Sequence, residues 1–130
     1  MDLYFTFRLP EFPVIVVRGD ALFAADDPQE LVNIVYEEIQ GVKDQRIVFF
    51  DSTGEEFKYF DKDIQSLMPT MNRKNWTKKR VIELYNTSAN AEIGNTRYSE
   101  KSLSAKTYPK IFNDIVDLIR ENPPYFEELI

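Results

Sequence analysis

Leu3, Phe5, Phe7 and Leu9 alternate with Tyr4, Thr6 and Arg8, the period of two that turns one side of a β-strand toward a core. Pro10 and Pro13 bracket a short connection, and Val14-Ile15-Val16-Val17 follows. That run is β-branched throughout and does not alternate, which predicts a strand buried on both faces. Ala21 to Ala24 are apolar too, with Arg18-Gly19-Asp20 between the two runs. Those three residues spell an adhesion tripeptide, but glycine also supplies the positive φ of a tight turn, so the segment is expected to be a hairpin.

The period then changes. Asp26-Asp27-Pro28-Gln29-Glu30 has the marks of a helix start: an Asp N-cap, a Pro in the first turn and acids near the positive end of the dipole. Leu31, Ile34, Val35 and Ile39 make an apolar stripe widened by Val32 and Tyr36, and Gly41 offers a left-handed stop. Ile47 to Phe50 and Phe57 to Phe60 flank Asp51-Ser52-Thr53-Gly54, which predicts a second hairpin with a four-residue or bulged loop.

Asp61 to Met68 is expected to form a short helix ended by Pro69, and Lys79 to Asn86 an inner strand. Residues 87–107 are rich in Ser, Asn, Thr and Ala and are expected to be a mobile polar loop, since loops this long are usually mobile or functional. A last helix begins near Pro109, where Ile111, Ile115 and Leu118 interleave with Phe112, Val116 and Ile119, and Pro123-Pro124 stops it. Tyr125 to Ile130 are expected to be a short tail that docks or adds one more turn.

No repeat of 20 to 50 residues is visible. The element order predicts an α+β domain over residues 1–130, with a mainly antiparallel sheet of about five strands and two main helices packed on one face. At 130 residues with 14% aromatics, the chain has the means to bury a sizeable core. The longest apolar run, Ala21 to Ala25, is far short of the roughly 20 residues a membrane helix needs. The early acid Asp2 and the lack of a positive region among the first residues lead to the expectation of no secretory signal. With no cysteine either, a cytoplasmic protein is expected. The sequons Asn75-Trp76-Thr77 and Asn86-Thr87-Ser88 matter only on a secretory route.

Cysteine and histidine are both absent. That removes disulfides, thiolate or imidazole zinc sites, Cys nucleophiles and Ser-His-Asp triads, and it leaves oxygen ligands alone for any metal. The four glycines, at 19, 41, 54 and 94, are too scattered for a phosphate-binding loop. There is no Gly-x-Ser-x-Gly elbow, and the Ser and Lys residues between Ser99 and Lys106 do not define a dyad. No cofactor is expected.

Charge is more informative. The net −6 resolves into 6 basic and 14 acidic residues over 1–69, 9 and 3 over 70–110, and 1 and 5 over 111–130, or −8, +6 and −4. The basic segment centres on Arg73-Lys74-Asn75-Trp76-Thr77-Lys78-Lys79-Arg80. Arg73, Lys74, Trp76, Lys78, Lys79 and Arg80 are therefore the candidate binding residues, with the cations for an anionic ligand and the indole for stacking. The competing reading is a solvated face balancing neighbouring acids, with Trp76 as a core anchor. The acidic remainder repels polyanions, so nucleic acid is not the expected partner.

A catalytic alternative lies in the second hairpin. Asp51, Glu55, Glu56 and Lys58 are close in sequence, and a Glu-x-Lys pair beside an Asp can hold a divalent cation and activate water in a hydrolase or nuclease. Alternating charge on an exposed hairpin face is its plain counterpart. The larger expectation is a small acidic interaction module. Glu37 and Glu38, with Glu127 and Glu128 beside Tyr125 and Phe126, form the natural patch for a basic protein partner. By size and charge alone this is analogous to an immunity-type neutraliser. Oligomeric state is left open.

Overall fold

A computed structural model describes residues 2–71 and 75–125. One six-stranded sheet organises them, built from β1 (Tyr4–Phe5), β2 (Val14–Arg18), β3 (Ala21–Ala25), β4 (Ile47–Asp51), β5 (Glu56–Phe60) and β6 (Ser66–Pro69). Their spatial order is β1-β6-β5-β4-β2-β3. Every neighbouring pair is antiparallel except β1 with β6. The class is α+β on a mainly antiparallel sheet, as the pattern implies. The helices are α1 (Pro28–Ile34), continued by a π-helical segment (Val35–Ile39), α2 (Lys78–Asn86), α3 (Ala89–Gly94), α4 (Ser102–Ala105) and α5 (Tyr108–Glu121).

The two long amphipathic segments do not share a face. Ile15, Val17, Leu22, Ala24 and Phe50 pack against α2 and α5. On the opposite side, Val14, Val16, Phe23 and Phe49 pack with Leu31, Val35 and Ile39. This division explains why Val14 to Val17 are all fully buried: each side of the strand has its own helical cover, as the unbroken apolar run predicts.

Several boundaries differ from expectation. The alternation from Leu3 to Leu9 yields only the two-residue β1, because Phe7 takes a φ of 72° and turns the chain away. Residues 61–68 do not form a helix. Ser66–Pro69 is strand β6, burying Leu67 and Pro69 at period two, and its proline sits beyond the short β1 partner, where no ladder donor is needed.

Lys78–Asn86 is a helix, not an inner strand. Val81, Ile82 and Tyr85 share its buried side, a spacing that a Val-Ile-Glu-Leu-Tyr run leaves ambiguous between the two periods. The polar stretch 87–107 likewise carries α3 and α4 instead of an irregular loop. Ser88 and Thr107 from this stretch, like Thr77 ahead of α2, act as caps, each accepting from a backbone N–H in the first turn of α3, α5 and α2 respectively. No helix among the described residues is long and apolar enough to cross a membrane.

Candidate functional site

The basic segment turns its chemistry inward. Trp76 is only 2% exposed, and its indole is stacked on Phe50 with centroids 4.2 Å apart and planes at 8°. The Arg80 guanidinium lies 3.8 Å from the centroid, and Nε1 donates to Glu56 Oε1 at 3.0 Å. An indole held in this way has no free face for a base or a partner aromatic.

Lys78 Nζ donates to the carbonyls of Leu103 (2.9 Å) and Lys106 (2.8 Å), fixing the α4 region. Arg80 also donates to Asn75 O. Lys79 is exposed, 3.9 Å from Glu83, whose side chain is exposed too. Arg73 and Lys74 lie outside the described residues. The structure thus brings Trp76, Lys78 and Arg80 together as packing and capping groups.

The hairpin carboxylates also have partners within the chain. Asp51 is fully buried and accepts from the backbone N–H groups of Glu11 and Thr53, both at 3.0 Å, and from the Thr53 hydroxyl at 2.5 Å. It acts as an Asx-type organiser of the loop. Glu55 is buried against Arg8, and Arg8 stacks over Phe57 at 5.0 Å. Glu56 accepts from Trp76 and Asn75. Among the described residues no group of three or more Asp or Glu is arranged to hold a metal ion.

The acidic patch anticipated from the sequence has a different character. Strand β3 is an edge of the sheet, and a groove of about 340 Å³ runs along it. Leu22, Phe23 and Ala24 form its floor, Glu30, Asn33, Ile34, Glu37 and Glu38 one wall, and Ile119, Arg120, Pro123, Pro124 and Tyr125 the other. The π-helical segment places Glu37 and Glu38 on the rim, and such local widenings recur at functional sites. Glu38 is paired with Arg18, whereas Glu37 is exposed and has no ion-pair partner among the described residues. Phe126, Glu127 and Glu128, the rest of the anticipated patch, lie outside the described residues.

Two devices close the ends of this groove. At one end Asn90, fully buried, accepts from Leu22 N–H at 2.9 Å and donates to Leu22 C=O at 3.0 Å, taking the place of a neighbouring strand residue. At the other, Arg120 of α5 crosses the edge to Asp26 (2.8 Å) and Glu30 (3.4 Å). These pairs are solvent-accessible and worth only about 0–1 kcal/mol each. Neither Asn90 nor Arg120 stands out in the sequence. Asn90 is 68 residues from Leu22, and only the sheet order reveals which strand has an edge.

A further polar cluster joins α4 to α5. Asp114 accepts from Tyr98 Oη at 2.7 Å, Lys106 Nζ at 3.1 Å and Lys110 Nζ at 2.8 Å. Burial raises the Asp114 carboxyl, but the hydrogen bonds from Lys110, Tyr98 and Lys106 outweigh it and hold its pKa at about 2. Comparison with protein-family models, curated proteins and solved structures finds no match for the chain.

Proposed function

We propose that this chain is a protein-binding module that engages a positively charged partner protein through the groove at the β3 edge. The observation that carries the reading is the groove itself: an edge strand for a floor, with Glu30, Glu37 and Glu38 on one wall and apolar Ile119 and Pro123 on the other. The basic segment offers a weaker surface, because Trp76, Lys78 and Arg80 are engaged with their own neighbours. An acidic body of net −6 steers a basic partner to the site and speeds encounter. This is the behaviour needed by a neutraliser of a basic protein, and a cysteine-free chain suits the cytoplasm.

Selection from a random peptide display library against the full chain tests the reading. Enriched peptides are expected to be rich in Lys and Arg, to release as salt screens the charges, and to lose binding to Glu37→Lys. Enrichment of neutral or acidic sequences, or of basic ones indifferent to Glu37→Lys, contradicts it.

A further inference from the structure

We infer that the partner binds by strand addition, an extended segment of alternating basic and apolar residues pairing with the backbone of Ala24. This rests on the reading of the groove as the site for a basic partner and specifies how that partner is held. Asn90 fixes the geometry, because its side-chain amide occupies both the N–H and the C=O of Leu22. The even-numbered residues of β3 therefore direct their backbone groups away from β2, and the odd-numbered ones pair with it.

Ala24 is the next residue facing outward. It is 9% exposed and lies on the floor of the groove, and among the described residues no side chain or loop pairs with its outward N–H and C=O. A donor and acceptor set side by side on a strand edge, in a recess and without partners, form the template for an added strand. The opposite edge is poorer: β1 has two residues, and Phe7 with its φ of 72° ends it.

The walls determine which side chains the added strand carries. The side chain of Ala24 points toward α5 and that of Phe23 toward α1. A residue paired opposite Ala24 thus directs its side chain toward Ile119, while its two neighbours point toward Glu30 and Glu37. An apolar residue fits the first position and cations fit the others. Arg120 already shows what this wall accepts, since its guanidinium lies between Asp26 and Glu30. An incoming Lys or Arg takes over that pairing as Arg120 swings aside.

The test uses a short capped peptide of alternating Lys and Val, with two copies N-methylated on alternate backbone nitrogens, one on the Val set and one on the Lys set. Strand addition predicts that one methylated copy binds about tenfold more weakly and the other does not. It also predicts that exchange of the Ala24 amide slows about tenfold in the complex of the full chain with the unmodified peptide. If all three peptides bind alike and Ala24 exchange is unchanged, strand addition is overturned while a basic partner in the groove stands. If the unmodified peptide does not bind at all, both readings fall.

Discussion

Tyr108 carries a hydroxyl that is buried and has no hydrogen-bond partner among the described residues, held over Gly54, where a side chain would meet the Trp76 carbonyl and the phenol oxygen. Burial first, and then the nearness of Asp51, push its ionisation far above the ordinary tyrosine range, so the group is a neutral phenol at any physiological pH. A buried donor without a partner opposes folding, whereas its ring still packs against Phe112. Tyr108→Phe is therefore expected to leave stability unchanged or raise it by up to about 1 kcal/mol, read from urea denaturation midpoints. A loss above about 1 kcal/mol would show that the hydroxyl has a partner in solution. Trp76 teaches a related lesson. One Trp among five cations looks like a platform in the sequence, yet Phe50, Glu56 and Arg80 enclose it. The long-range neighbours Phe50 and Glu56 give it the surroundings of a core anchor, which local composition does not reveal.

At the scale of elements, the interlock between α3 and β3 is the feature that shapes the site. Asn90 makes three hydrogen bonds, two to Leu22 and one to the Asn122 carbonyl at 2.9 Å. Truncation by Asn90→Ala strands the backbone groups of Leu22 without water, and a loss of about 2–4 kcal/mol is expected by chemical denaturation. Asn90→Asp keeps the acceptor but turns a carboxylate toward two carbonyls, and it is expected to be at least as damaging. The α4–α5 cluster responds to acid. Because the Asp114 carboxyl is depressed to about 2, it contributes stability above the unfolded value near 3.9, and that contribution is lost as pH falls through about 2. Asp114→Asn should flatten the stability change between about pH 4 and pH 2, with a wild-type carboxyl midpoint near 2 by NMR titration. A midpoint near the ordinary value would refute the cluster. Elements with one unambiguous signal are legible: the unbroken β-branched run Val14 to Val17, the cap at Asp27-Pro28 and the α5 face of Ile111, Phe112, Ile115, Val116 and Ile119. Lys78–Asn86 and 87–107 are not, because their helices rely on Thr77, Ser88 and on packing over the sheet, none of which alters hydrophobic periodicity.

For the whole molecule, part of the uneven charge along the chain is paired within the fold. Lys78, Lys106, Lys110 and Arg80 meet acceptors or aromatic faces nearby, whereas Lys79, Arg97 and Lys101 are exposed and Arg73 and Lys74 lie outside the described residues. The acids of α1 and its π-helical continuation keep more of their field, because Glu37 has no ion pair among the described residues and the Arg120 bridge is exposed. Part of the candidate site is legible in the sequence, since Glu37, Glu38 and Tyr125 stand out by charge and aromaticity. Its floor is not, because an open strand edge is a property of sheet order and not of any segment. The most direct measurement is a ¹H–¹⁵N NMR titration of the full chain with the unmodified Lys-Val peptide. Binding in the groove predicts shift changes concentrated at Leu22 to Ala24, Glu37, Glu38 and Ile119 to Arg120, fading as salt rises. Changes centred instead on residues 75–80, or none at any concentration, would contradict it.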